Sequence, residues 1–428
     1  MFFKPVAMKK IEHLLIIVIF SILSSGCASF GRGIAEAYFQ KQEAADTRLC
    51  EVTGSPFEGI KPHLKNPIGK MKVLIVHGVG DRLPGYSTQF LEKLAKSLNL
   101  TVRAKRNKDI FLRDPLDESK KLGNLRIHRL LNKERDQELL FYELTWSEIT
   151  AQQKSILAYD NSGEYSFRRA EVNDVLKRFS NDTGPDPIIY LGDSREDILI
   201  SFTQSFCWMT KGLWDDLPDQ QAKSCTFDDL AAVENLKNDQ YAVVSHSLGS
   251  RITIDGLQRL ARFFSDSSFR PELDRPKELV KALQQKIIPI YMMSNQLPML
   301  QMGRQLPEIT GQQSAFCSPE GEHYDKRILS ETPIIAFSDP NDLLSYAIQQ
   351  NFVDRFIDSR LCAEVTNINI NVAKIFDAFG LGKFANPLDA HIGYTTDKRV
   401  IAMIAKGIGN ANTSKLVKKR CSWTETID

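Results

Sequence analysis

Tyr241-Ala242-Val243-Val244-Ser245-His246-Ser247-Leu248-Gly249 is the stretch that decides how this chain folds. Its first four residues are an apolar run of strand length. After it, Leu248, Ile252, Leu257, Leu260, Ala261 and Phe264 recur mostly at three- and four-residue steps, which predicts a helix. Between strand and helix stands a small-x-Ser-x-small pentapeptide, Ser245 to Gly249. A chain turning this sharply holds the middle serine in a strained backbone conformation, so its flanks must be nearly free of side chain. Gly249 meets that need, and Ser245 stands where glycine is more usual. A helix N-terminus beneath Ser247 would favour negative charge forming above it. An ordinary turn rich in small residues reads the same way, so the neighbouring segments must decide.

Val73-Leu74-Ile75-Val76 is a continuous apolar run, the pattern of a strand buried on both faces of a parallel sheet. Phe90, Leu91, Leu94 and Leu98 mark the helix after it. Leu139 to Tyr142, Ile287 to Met293 and Pro333 to Phe337 read as further strands. Strands alternating with helical segments predict an α/β fold with a largely parallel central sheet flanked by helices. The regular pattern starts at Met71, so residues 71–428 are expected to form the domain. About ninety residues separate Trp146 from Asp239, more than one step of the alternation needs. Residues 147–238 are therefore expected to hold a helical insertion over the sheet's carboxyl edge, a candidate lid, plus the helix through Ile198, Phe202, Phe206 and Trp208 that precedes the serine strand. Its aromatics, Phe202, Phe206, Trp208 and Trp214, suit either an acyl-binding groove or a small core of their own.

An activated serine needs an imidazole to take its proton and a carboxylate to fix that imidazole's tautomer. Two histidines follow Ser247: His323, in a polar stretch, and His391, in Ala390-His391-Ile392-Gly393-Tyr394. A loop before the amphipathic segment Val400, Ile401, Ile404, Ile408 is where a base would reach the sheet edge, which favours His391. The carboxylate should leave the strand that ends at Phe337. Asp339 and Asp342 both lie in the following turn, and capping is the usual reason for aspartate there. Asp342, followed by two leucines, is favoured over Asp339. Upstream, His77-Gly78-Val79-Gly80-Asp81 follows another strand, where glycines let an N–H approach a developing oxyanion. The N–H groups of Val79 and Leu248 are the expected pair. No GxGxxG or Walker lysine accompanies this turn, so phosphate binding there is the weaker reading.

These parts, in this order and each at a strand's carboxyl end, resemble the α/β-hydrolase fold family over about Met71 to Gly409. The resemblance implies a Ser247 nucleophile, a His391 base and an Asp342 orienting carboxylate. It implies a lipase- or esterase-like activity on carboxylic esters of acylated or lipid substrates, with no metal or organic cofactor. A peptidase or amidase of the same fold, or a non-catalytic binding module of the cell envelope, are the alternatives.

The net charge of +2 makes no electrostatic case for a nucleic-acid partner. The basic stretch Arg103-Ala104-Lys105-Arg106-Asn107-Lys108 is offset by Asp109, Asp114, Asp117 and Glu118 and reads as a solvated loop. At the amino end, Lys4, Lys9 and Lys10 precede the apolar run Leu14 to Phe20 and then Leu23-Ser24-Ser25-Gly26-Cys27. This is similar to a bacterial lipoprotein leader, residues 1–26, with lipid carried on Cys27; Ser24 replaces the leucine usual at that place. Residues 27–70 would then be a tether and surface arm, and the body would face the periplasm or the exterior at a membrane. Cys50, Cys207, Cys225, Cys317, Cys362 and Cys421 remain, an even set suited to an oxidising compartment. Fifteen connectivities are open; proximity favours Cys207 with Cys225 and Cys317 with Cys362, leaving Cys50 with Cys421.

Overall fold

The computed structural model describes residues 48–66, 68–102, 107–162, 169–227, 230–377 and 383–424. The leader, Cys27 and the arm as far as residue 47 lie outside them, as do residues 103–106 of the basic stretch. In chain order the strands begin with β1 Cys50–Thr53, β2 Met71–Val76, β3 Thr101–Val102, β4 Lys108–Asp114 and β5 Asp117–Leu131. They continue with β6 Glu138–Thr145, β7 Gln221–Lys223, β8 Gln240–His246, β9 Ile290–Met293 and β10 Thr332–Ser338. The last are β11 Ala363–Ile370, β12 Ile375–Asp377, β13 Lys383–Ala385 and β14 Cys421–Trp423. The helices that matter below are α1 Thr88–Leu98, α2 Pro185–Leu191, α3 Ser194–Thr210 and α4 Leu248–Ser265. They are followed by α5 Leu297–Gln301, α6 Pro387–Ile392 and α7 Lys398–Lys406.

The fold is α/β, with a twelve-stranded mixed and mostly parallel sheet in the order β14-β1-β11-β10-β9-β8-β2-β6-β5-β4-β7, β3 pairing with β5. The stretch β6-β2-β8-β9-β10-β11 is parallel throughout. Its register aligns the carboxyl ends: Val76 lies opposite Ser245, Ser245 opposite Met292, and Met292 opposite Ala336. Loops leaving β2, β8, β9 and β10 therefore emerge at one edge. Successive β2 residues face opposite sides, as the pleat demands. Leu74 and Val76 pack with α3 and α4 residues, whereas Val73 and Ile75 pack with α1 and α7 residues. All six β2 positions are buried, which is why Val73 to Val76 read as a continuous apolar run; Lys72 is buried as one half of an ion pair.

Two expectations are corrected here. The first concerns the aromatics of residues 147–238, which form neither a groove nor a core of their own. Every residue of α3 from Ile198 to Thr210 is buried, and Phe202, Phe206, Trp208 and Trp214 belong to the main core beneath the sheet. Those aromatics do not line a groove. Lys154–Pro185 falls in a second compact unit, with helices over Ala158–Ser162 and Glu171–Thr183 joined by ion pairs of Arg169 with Asp160 and Asp174. The second correction concerns Lys108, read as loop but placed at the start of β4 beside Asp109. Asp109 there pairs with Arg126 of β5 at 2.9 Å.

Three disulfides join Cys50–Cys421, Cys207–Cys225 and Cys317–Cys362, at sequence separations of 371, 18 and 45. The first lies where β1 and β14 pair in parallel, Cys50 opposite Cys421. On a chain-entropy basis the stabilisation grows with the loop closed. Replacing Cys207 and Cys225 by serine should cost about 3 kcal/mol in urea or guanidinium unfolding. Loss of Cys317–Cys362 should cost more, and loss of Cys50–Cys421 most. Equal midpoints for the three double variants would contradict this ordering.

Candidate active site

Ser247 sits between β8 and α4 with φ 56° and ψ −127°, a conformation a serine rarely adopts. Two glycines make it possible. A Cβ on Gly249 would lie 2.4 Å from the Val76 carbonyl oxygen and 2.8 Å from that of His77. A Cβ on Gly78 would lie 2.6 Å from Ser247 Cβ and 3.1 Å from its Oγ. Both positions must be free of side chain for the elbow to rest on the end of β2. Ser245 is tolerated because it is still in the β8 ladder, opposite Val76. The Ser247 N–H donates to the Met293 carbonyl at 3.0 Å, tying the elbow to β9 on its other side.

Asp342 and His391 meet. His391 Nδ1 lies 3.0 Å from Asp342 Oδ1, so this nitrogen carries the proton and leaves Nε2 as the acceptor. His391 stands on the short helix α6, not in a loop; the Asn386 side chain caps that helix by accepting the Leu388 N–H. Burial opposes ionisation of Asp342, but hydrogen bonds from His391, Ser294 and the Leu344 N–H outweigh it and hold the carboxyl below its usual value. Asp339 does different work. Its Oδ2 accepts the N–H groups of Val372 and Ala373 at 2.7 and 3.0 Å, and its Oδ1 accepts that of Asn341. It pins the chain after β11 and does not touch His391. His323 packs against Phe316 and takes no part in the site.

Ser294, at the end of β9, was not legible from the sequence. Its Oγ donates to Asp342 Oδ2 at 2.7 Å and lies 3.0 Å from His391 Nδ1, so one hydroxyl braces both partners. Its φ of 52° is again left-handed. Next to it, Asn295 holds the loop that carries Asp342: its side chain donates to the Tyr346 carbonyl at 2.7 Å, and its own carbonyl accepts the Tyr346 N–H at 2.8 Å. Tyr394 adds a phenol 3.3 Å from Asp342 Oδ2. A polar run, Ser294-Asn295-Gln296, at the carboxyl end of a buried strand was the available signal.

His246, inside the pentapeptide, joins the elbow to the base. Its Nε2 lies 2.8 Å from the His391 carbonyl oxygen, and the two rings stand edge to face with centroids 5.1 Å apart. Burial and then the neighbouring His391 push its pKa down to about 3, so it stays neutral. Ser247 Oγ has no hydrogen-bond partner among the described residues, so the structure brings Asp342 to His391 but does not join Ser247 to His391 by a hydrogen bond.

The turn after β2 is held from several sides. The His77 ring stacks on Trp146 at 4.7 Å, and its Nε2 accepts the Trp146 N–H at 3.2 Å. The Gly80 N–H donates to the buried Asp186 carboxylate of α2 at 2.6 Å. Val79 lies between these anchors with its N–H unbonded among the described residues, and Leu248 opens α4 with its own N–H in the same state. No set of three His, Cys, Asp or Glu side chains converges as a metal site among the described residues.

No protein-family model, curated protein or solved structure matches this chain. The reading of the site therefore stands on its geometry.

Two outcomes follow from that geometry. Gly249→Ala should lower the unfolding free energy by about 1–3 kcal/mol, the usual cost of overpacking. Gly192→Ala, where a Cβ would meet nothing closer than 3.5 Å, should be nearly neutral. Stability should also fall on acidification. His246 is neutral in the fold down to about pH 3, and His128, buried beside Arg126, down to about 4. Below the ordinary value of about 6.5 the unfolded chain takes up protons that the folded chain does not, so stability is lost as pH drops from there. Urea midpoints measured from pH 7 to 4 should show that fall, and His128→Phe should flatten it; a flat wild-type profile would contradict it.

Proposed function

We propose that this chain is a serine hydrolase of the α/β-hydrolase fold that cleaves carboxylic esters of acylated substrates. The observation that carries the reading is the Asp342–His391 hydrogen bond at the same sheet edge as a strained Ser247. Ser247 and Asp342 follow the parallel strands β8 and β10 and His391 stands later on α6, giving the chain order Ser, Asp, His of that fold's triad. In the proposed reaction His391 Nε2 takes the Ser247 proton as Oγ attacks the ester carbonyl. The N–H groups of Val79 and Leu248 hold the oxyanion, aided by the positive end of α4. His391 then protonates the leaving alcohol and activates a water that hydrolyses the acyl-enzyme. Asp342 stabilises the imidazolium throughout, and Ser294 braces the pair.

The acyl preference is supported by the apolar side chains that flank the two triad partners. Leu343 is 72% exposed and Ile392 43%, and Leu344 and Leu388 are exposed as well. Leu343 and Ile392 adjoin Asp342 and His391 directly in sequence, and Leu344 and Leu388 lie within three residues of them. A lipid-anchored place in the cell envelope is part of the same proposal and rests on the residues around Cys27.

A fluorophosphonate probe should label the protein at Ser247, and Ser247→Ala should lose both labelling and ester turnover with little change in thermal stability. Asp342→Asn should lower kcat by about ten-thousand-fold with little change in KM, as loss of the orienting carboxylate does in a comparable triad. Asp339→Asn should act chiefly on stability, since its carboxylate holds backbone. Turnover retained by Ser247→Ala would end the serine-hydrolase reading.

A further inference from the structure

Beneath the elbow, three arginines share one carboxylate. Asp255 of α4 is buried and accepts Arg251 Nη2 at 2.5 Å, Arg304 Nη2 at 2.5 Å, Arg195 Nη2 at 3.1 Å and Tyr190 Oη at 2.8 Å. Arg251 is itself only 2% exposed, and its Nη1 reaches Gln301 Oε1 at 2.7 Å. One negative charge thus faces three positive ones. Glu196, the acid next to Arg195 in sequence, does not restore the balance, because Arg259 and Arg270 both claim it. Arg251 Nε and Gln301 Nε2 are buried donors with no acceptor among the described residues. Buried charge without compensation and buried donors without acceptors are both costly. An anion in contact with the cluster removes both costs.

The cluster is built from the same elements as the candidate active site. Arg251 follows Ser247 by four residues on α4 and Asp255 by eight, which is roughly 6 and 12 Å along the helix axis. On α2, Asp186 holds Gly80 of the turn after β2, and Tyr190, one turn later, holds Asp255. Gln301 ends α5, whose start is tied to α4 by the Gln296 N–H donating to Ser250 Oγ at 3.3 Å. The Arg195 side chain is 41% exposed, so the cluster opens to solvent on that side.

We propose that Arg195, Arg251 and Arg304 form an anion subsite, and that the ester substrate carries a carboxylate or phosphate roughly 6–12 Å from the scissile carbonyl. This deepens the serine-hydrolase reading and depends on it for the link to turnover. Burial, and then Arg251 beside it, push the Arg304 guanidinium down from its ordinary value, whereas for Arg195 the pull of Asp255 outweighs burial and raises it.

The test compares two esters of equal length, 4-nitrophenyl octanoate and the mono-4-nitrophenyl ester of octanedioic acid, on the full chain. The ratio of kcat/KM, charged over neutral, should fall at least about tenfold in Arg195→Gln and in Arg304→Gln, the size of one lost charge-assisted hydrogen bond. Arg304→Lys should keep more of the ratio than Arg304→Gln. Separately, inorganic phosphate should raise the wild-type Tm saturably above sodium chloride of equal ionic strength, and Arg304→Gln should lose that rise. An unchanged ratio overturns the substrate assignment even if phosphate binds, because the site then serves a free anion. Absence of any phosphate-specific rise overturns the subsite. If the wild type neither takes up the fluorophosphonate nor cleaves either ester, the hydrolase reading fails, and the phosphate result alone decides whether the anion site stands.

Discussion

The site rests on a close approach of backbone to backbone. Gly249 lies against the Val76 and His77 carbonyls and Gly78 lies against Ser247, so the turns after β2 and β8 touch where no side chain fits between them. That contact supports the left-handed Ser247 conformation, which would otherwise relax. The Ser247 N–H bond to Met293 adds the third strand. The position of Ser247 is thus set by β2 and β9 together, and only then do side chains matter. The same β9 end supplies Ser294 to Asp342 and Asn295 to the Asp342 loop, so Asp342 is positioned from the strand that holds Ser247.

The opposite end of these strands is clamped by charge. Lys72 of β2 is fully buried and pairs with Asp239 at 2.6 Å, immediately before β8. Its ammonium also donates to the Met209 carbonyl in the last turn of α3, and Asp239 Oδ1 accepts the Lys70 N–H at 2.7 Å. Burial pushes the Lys72 ammonium down in pKa, and Asp239 opposes that shift. Such a pair adds little net stability against its desolvation cost. What it does is fix register. A slip of one residue between β2 and β8 would separate Gly78 from Ser247 and break the ion pair at the far end at once.

How much of this the sequence disclosed depends on range. The elbow, the β2 run and the stripes of α1 and α4 are local patterns, and they read correctly as elements, whereas the His391 segment read as a loop and is a short helix. The choice between Asp339 and Asp342 is not local: both occupy one turn, and what separates them is that Val372, Ala373 and Asn341 donate to the first while His391 and Ser294 reach the second. Ser294 left no periodic trace, because a left-handed serine at a strand end has no propensity signal. The β4–β5 hairpin hid behind its charges, which pair across strands, as Arg126 does with Asp109. Helix α3 read as a helix through Ile198, Phe202, Phe206 and Trp208, but its burial on all sides did not show, because it carries hydroxyls; Thr203 and Ser205 donate to carbonyls one turn back and Ser201 to Leu122, which satisfies them in the core.

Two imidazoles with centroids 5.1 Å apart pose an electrostatic problem for any reaction in which one becomes charged. Proton uptake by His391 is compatible with this site only if His246 stays neutral. Burial does that, and a neutral His246 with its proton on Nε2 donates to the His391 carbonyl without adding charge. In the proposed reaction the positive charge on His391 would be answered by Asp342, whose own ionisation survives burial because donors converge on it. Negative charge forming at the substrate oxygen would meet the start of α4 instead, where the helix dipole and the Leu248 N–H are both favourable. The two developing charges would thus be answered by different groups, the imidazolium by a carboxylate that follows β10 and the oxyanion by backbone after β2 and at α4. That separation would let one compact strand edge stabilise both charges at once without either neutralising the other's partner.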